Sequence, residues 1–266
     1  MESLEGDIPT REEEPQSIAG CCRFASAIQA LTVPFVVFDP NTALLSNPVW
    51  NGYFTGGADP TGMDADAFLD PNNLEAGRLR RNHLFEQGSS LDGVYVHAHA
   101  TTGEDLRLVV NIERIAFGGG EHGILIVQRK INDDVFTDFT PLTRFGRRRP
   151  ALPNVCIHEA VFESFPLPLL ITDERFIIAA NLQARLLLGE GLDIVGMRTL
   201  DLVHADATEA AVERREMMLG QPGRVLRNIV LRMSMDKAGR HAKLDVGSFE
   251  YDGAVTGLVV VRDVLP

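Results

Sequence analysis

Two stretches of this chain are versions of one another. Pro34-Phe35-Val36-Val37-Phe38-Asp39 returns as Pro168-Leu169-Leu170-Ile171-Thr172-Asp173, displaced by 134 residues (173 minus 39). The same 134-residue step carries Asn47 to Asn181, and Gly123-Ile124-Leu125-Ile126-Val127 to Gly257-Leu258-Val259-Val260-Val261. A displacement shared at both ends means two units of nearly equal length. The chain of 266 residues is therefore one domain written twice, in line with a prior of about 150 residues per domain.

Periodicity supplies the elements. Ser17 is a good N-cap, and Ile18, Cys21, Cys22, Ala25, Ile28 and Leu31 recur at helical spacing. Val33–Asp39 and Thr42–Ser46 read as a hairpin around Asp39-Pro40-Asn41. The Gly-, Asp- and Pro-rich stretch Gly56–Asn73 reads as loops and short helical turns, and Leu74–Gln87 as a helix stopped by Gly88. Three strands follow, Gly93–Ala100, Leu106–Phe117 and Gly123–Lys130, with Thr101–Asp105 and Gly118–His122 as their hairpin loops. A second amphipathic helix, Asn154–Phe165, stands before the second unit as Ser17–Leu31 stands before the first. The expected division is an acidic flexible tail over 1–16, a first unit over 17–132, a linker rich in Pro, Asp and Arg over 133–153, and a second unit over 154–266.

Charge and composition narrow the function. The formal charge is -12, of which -5 belongs to residues 1–16 (six acids and one Arg), leaving -7 on the rest. Such a chain does not coat nucleic acid or an anionic membrane, and Arg147-Arg148-Arg149 reads as a solvated linker. Hydrophobic residues at 45% and charged residues at 23% exclude a disordered chain. Three cysteines exclude a disulfide framework, and Cys21 and Cys22 read as small packing residues. With no long apolar run and an acidic N-terminus, a cytoplasmic protein is expected.

No catalytic constellation stands out, so no enzyme is expected. Gly118-Gly119-Gly120-Glu121-His122-Gly123 lacks the Lys-Ser/Thr of a phosphate loop. Period two puts Tyr95, His97 and His99 on one strand face and Val94, Val96, Ala98 and Ala100 on the other. The small apolar face is expected inward; a metal clip of the two histidines with His122 is the alternative to a solvated pair. Trp50, the sole tryptophan, could stack on a flat ligand or simply fill core. Met217 and Met218 read as core.

The order helix, two strands, short helices, longer helix, three strands resembles that of PAS domains. Phe165–Asp173 resembles the family's opening strand, Ala180-Asn181 the Asn that begins the first short helix, and Leu202-Val203-His204-Ala205-Asp206 its His-containing element. Val261-Arg262-Asp263-Val264 resembles the ending that leads to an effector. In the first unit Phe68-Leu69-Asp70-Pro71 is a looser version, and Lys130-Ile131 replaces the closing Asp. The resemblance implies an α+β fold, two PAS-like domains each with a five-stranded antiparallel sheet and helices on one face. It also implies a sensing and dimerisation module of sensor-kinase or transcription-regulator systems, relaying a change to an effector or partner. The space between sheet and helices would hold haem, flavin, a small organic molecule or nothing. Trp50 and His83 are the candidate cofactor residues in the first pocket, His83 as an axial haem ligand with Arg80 and Arg81 toward cofactor carboxylates. Cys22-Arg23-Phe24 lies in the leading helix, away from where a cysteinyl photoreceptor would need it. A homodimer through leading helices and sheet faces is expected; the alternative is a ligand-free scaffold, with Phe54, Phe68 and Phe85 filling the first core.

Overall fold

The apolar runs that open each unit become strands buried on both faces. The computed structural model describes residues 18–88, 90–131, 136–137, 156–189, 193–234 and 240–265. Helix α1 (Ile18–Gln29) leads into β1 (Phe35–Phe38), β2 (Ala43–Ser46) and α2 (Pro48–Phe54). Two 3₁₀ turns (Ala65–Phe68 and Pro71–Asn73), α3 (Leu74–Gln87), β3 (Leu91–His99), β4 (Asp105–Phe117) and β5 (Gly120–Ile131) complete the first unit. After the short β6 (Phe136–Thr137) the same order recurs: α4 (Ile157–Ser164), β7 (Leu169–Thr172), β8 (Ile177–Ala180) and α5 (Leu182–Leu188). Turns Thr199–Leu202 and Ala205–Ala207, α6 (Thr208–Leu219), β9 (Val225–Arg232), β10 (His241–Tyr251) and β11 (Ala254–Leu265) follow. The antiparallel sheets run β2-β1-β5-β4-β3, with β6 beside β5, and β8-β7-β11-β10-β9. The tail over 1–16 lies outside the described residues, as does the linker over 133–153 apart from β6, and with them the arginine run and the side chains of Cys21 and Cys22.

One expected loop is tighter than its composition implies. Gly118 and Gly119, at φ 57° and 77°, form the turn by themselves, so Gly120–His122 belong to β5. Two successive left-handed residues give the hairpin turn whose twist matches the flanking strands. The long helix α3 has its expected bounds because Gly88, at φ 65°, caps it in the left-handed conformation.

A fully buried asparagine holds the entrance of each unit together. Asn47 Oδ1 accepts the backbone N–H of Phe35 (3.3 Å) and Trp50 (3.1 Å), while Nδ2 donates to the carbonyls of Leu31 (2.8 Å) and Val33 (2.9 Å). Asn181 does the same with Leu169 (2.9 Å), Ala184 (2.9 Å), Phe165 (3.2 Å) and Leu167 (2.8 Å). Every partner is displaced by the same 134 residues (165 minus 31, 167 minus 33, 169 minus 35, 184 minus 50). One side chain thus joins the end of the leading helix, the first strand and the cap of the first short helix.

The leading helices cross. Helix α1 packs on β10 of the second sheet, α4 packs on β4 of the first, and the two helices pack on each other. Between the sheets lies one shared core holding Phe24, Ile28, Phe35, Val37 and Ile126 from the first unit and Phe162, Phe165, Leu169, Ile171 and Val260 from the second. The Phe24 and Phe162 rings are 5.0 Å apart, and Phe35 meets Phe165 edge-on at 5.8 Å. The alternate strand residues, Val36 and Phe38 or Leu170, face a separate core under each unit's own helices. The apolar stripes of the leading helices therefore have their cover within the chain.

Two predictions follow from this packing. Asn181→Ala removes four hydrogen bonds and leaves buried backbone groups unpaired, so a loss of about 3 kcal/mol is expected in the urea midpoint, and Asn47→Ala should act alike. Burial pushes the pKa of His158 on α4 below the ordinary histidine value, and also that of His122, where Phe117 and Asp39 offset it only in part. The unfolded chain then takes up protons first, so this contribution is complete above pH about 6.5 and fades as pH falls through and below it. The urea midpoint should be lower at pH 5.5 than at pH 7.5, and His158→Gln should narrow the difference.

Candidate functional site

Each unit encloses a cavity between its sheet and its helices. In the first, Val36 and Phe38 of β1 and Leu108, Val110 and Ile112 of β4 form the floor. Trp50 and Phe54 of α2, Phe68 of the first 3₁₀ turn and the face of α3 bearing Gly77, Arg80 and Arg81 form the cover. The volume is about 100 Å³. Helix α3 comes close at Gly77, where a Cβ would meet the Leu69 side chain at 2.6 Å.

An aromatic cluster shapes this cavity. Trp50 stacks on Phe54 (3.9 Å, 16°), and Phe68 stands edge-on to both at 6.1 and 6.0 Å. Trp50 is 2% exposed, and among the described residues its Nε1–H has no acceptor. A buried indole N–H usually finds a partner. Among the cations at the rim, Arg81 pairs with Asp66 (2.7 Å), which Arg78 also holds (2.6 Å). Burial raises the Asp66 pKa, but the two arginine hydrogen bonds outweigh it and hold the carboxyl below its ordinary range.

The second cavity, about 130 Å³, is lined by Leu170, Ile177, Leu202, Met218, Met233, Leu244 and Val246, with Arg214 and Arg215 of α6 at its edge. Beside it, Asp206 bridges His204 (2.7 Å) and Arg232 (2.6 Å), and these bonds, that of His204 foremost, lower its pKa. In the first unit the counterpart of His204 is Asp70 (204 minus 134), which accepts from Asn72 N–H (2.9 Å) and Asn73 Nδ2 (2.7 Å). The looser first-unit motif is thus a different way of capping the same turn.

The candidates separate. Trp50 lies on the first cavity wall, with Arg80 and Arg81 at its rim. His83 is half-buried on another face of α3 and is not on that wall, so the structure does not bring it to Trp50. Of the three aromatic fillers, Phe54 and Phe68 are buried here, whereas half-buried Phe85 meets Phe38 edge-on at 6.1 Å. The apolar face of β3 turns inward as expected, although exposed His97 also reaches the cavity rim, and His99 bonds Asp105 (2.8 Å). The register sets His97 opposite Arg107 and His122 opposite Ile115, which keeps the three histidines apart. Among the described residues no group of three or more His, Cys, Asp or Glu side chains is placed to hold a metal. Met218 is buried, but Met217 is 38% exposed, because successive helical positions point about 100° apart. Phe24, beside Arg23 in α1, belongs to the shared core rather than to a cavity. Sequence reasoning missed Arg214 and Arg215 as rim residues; applying the 134-residue step to Arg80 and Arg81 would have found them.

Residues 157–219 match the family model of the PAS domain. No curated protein matches the chain. Similar solved structures include the PAS domain of an HTR-like protein from Haloarcula marismortui, at 18% identity over 40% of this chain and 87% of that one, with a TM-score of 0.34. The Rhodobacter sphaeroides LOV protein is similar at 12% identity over 42% of this chain and 66% of that one, TM-score 0.35. The PAS domain of the Cronobacter turicensis quorum-sensing receptor RpfR, in complex with C12:0, is similar at 18% identity over 36% and 92%, TM-score 0.30. Residues 157–219 of the second unit thus resemble a PAS domain, and the first unit repeats the strand order of the second. Among the described residues no helix is long and apolar enough to cross a membrane.

Because Trp50 is the sole tryptophan and sits in the first cavity wall, it reports on that wall alone. Its emission should be blue-shifted and nearly insensitive to iodide in the folded protein. Phe54→Ala, which removes the stacked ring, should shift it to the red and admit the quencher.

Proposed function

We propose that this chain is a cytoplasmic, non-catalytic sensory module that takes small apolar molecules into its sheet–helix cavities and passes a change in packing to an effector or partner protein. The observation that carries this is the pair of cavities at matching places in the two units, each walled by apolar side chains. An engineered apolar cavity of about 150 Å³ holds benzene, so volumes near 100 and 130 Å³ suit a ring or a short chain. A porphyrin or a flavin would require the cover helices to move outward.

The relay follows from which residues share a strand. In β1, Val36 and Phe38 face the first cavity, while Phe35 and Val37 face the core shared with the second unit. A ligand that favours one packing of the cover over another shifts its population by the difference in affinity and no more. Any strand displacement is then felt by the crossed leading helices. The paired units supply the contact between PAS-like domains that a homodimer would otherwise provide.

Benzene and 1-octanol test the cavities without assuming the natural ligand. Each should raise the melting temperature saturably, by a few degrees at a concentration well above its dissociation constant. The proposal fails if neither probe stabilises the protein. It also fails if Val246→Phe, which fills the second cavity, leaves the octanol effect intact while Trp50 emission stays unmoved by both probes.

A further inference from the structure

We infer that the second cavity binds a small aliphatic carboxylic acid, its chain inside the apolar cavity and its carboxylate held by Arg214 and Arg215; this deepens, and rests on, the reading of the cavities as ligand sites. Both cavities carry an Arg-Arg pair on the cover helix at the same place in the repeat (214 minus 80 is 134, and 215 minus 81 is 134). In the first unit Asp66 already neutralises Arg81, at 2.7 Å. The matching position in the second unit is Leu200 (66 plus 134), which lines the cavity and offers no charge. Its neighbour Asp201 turns to Arg198 at 2.8 Å. Arg214 and Arg215 are both half-buried, and among the described residues neither has an acidic partner.

Guanidinium groups held partly out of water beside apolar wall gain from a desolvated anion, and a carboxylate can be bound in a forked geometry. The first unit contains the protein's own solution, Asp66; the second has the same cations with the acid removed. Wall chemistry then selects the rest of the molecule. Among the described residues no aromatic lines the second cavity, and Leu202, Met218 and Met233 offer flexible, adaptable walls suited to a straight chain. A volume of about 130 Å³ limits the buried part to about five or six carbons, by comparison with the six of benzene in about 150 Å³.

The test compares octanoate with 1-octanol on the full chain by isothermal titration calorimetry at pH 7.5. These probes share a tail and differ in charge. Octanoate should bind at least about tenfold more tightly, as expected for a charge-assisted hydrogen bond. In Arg214→Gln/Arg215→Gln that preference should vanish, with octanol affinity within about twofold of wild type and Val246→Phe abolishing both. Equal affinity of the two probes for the wild-type chain would overturn the inference while leaving the apolar cavity standing. Binding of neither probe would remove this inference, and the reading of the cavities as ligand sites falls with it only if benzene also fails to stabilise the protein. Should the double variant fail to fold, the wild-type comparison still decides; should it fold and keep the preference for acid, the arginines are not the anchor.

Discussion

The architecture depends on an amide that makes four hydrogen bonds in the dark. An asparagine side chain offers two donor hydrogens and an acceptor oxygen, and Asn47 and Asn181 commit them to backbone groups of three different segments. Aspartate could not donate, and leucine could neither donate nor accept. The chain leaving the leading helix thereby gains a fixed path onto the sheet edge, and the first short helix gains its cap. Since that short helix carries Trp50 in the first unit, the clamp also sets one wall of the cavity. A cavity wall and an inter-unit contact hang from the same residue.

The crossing of the leading helices turns a repeat into an internal pair, but the two sides of that pair are not equal. On the outer sheet face of the first unit Asn111 accepts from Gln128 Nε2 (2.5 Å) and from the backbone of Gly93 (2.8 Å). The same positions in the second unit are Asp245 and Arg262, an ion pair (3.4 Å) with both side chains at most 5% exposed. Asp245 also accepts from the backbone of Asn228 (2.9 Å), which holds the same left-handed bend as Gly93. Across the junction Thr32 Oγ1 donates to Asp245 (2.9 Å), whereas its counterpart in the repeat is Pro166, which has no donor. A buried charge pair adds little net stability, but breaking it is costly, so it discriminates between partners. Thr32 from the first unit completes a polar site that only the second sheet provides, which makes the association of the two units directional.

Much of this was legible in the chain, and the parts that were not share a cause. Asn47, Asn181 and the strand pairs stood out because polar residues in apolar surroundings repeat at one step. Leu74–Gln87 could be bounded because Gly88 marks its end. The division of β1 between two cores could not be read, since Phe35-Val36-Val37-Phe38 has no polar alternation to say which side chains face which way. Nor does an amphipathic stripe such as Phe24, Ile28 and Leu31 name its cover; it only states that one is needed. Here the other half of the same chain packs on it. His83 was attractive by its place on α3, but helical phase gives the cavity wall to Gly77, Arg80 and Arg81.

What the two copies changed is as informative as what they kept. Scaffold positions are held: the asparagine clamp, the strand order, the paired arginines. The cavity linings have diverged, from Trp50, Phe54 and Phe68 around a space of about 100 Å³ to leucine and methionine around about 130 Å³. Rigid rings that stack on each other leave a planar slot with defined edges, while unbranched side chains reshape around whatever enters. The outer faces diverged in the opposite sense, with the neutral Asn111 and Gln128 in the first unit and the charged Asp245 and Arg262 in the second. The halves share a skeleton but differ in both lining and junction. Because both sheets press on one shared core, an event in either cavity meets the same pair of crossed helices.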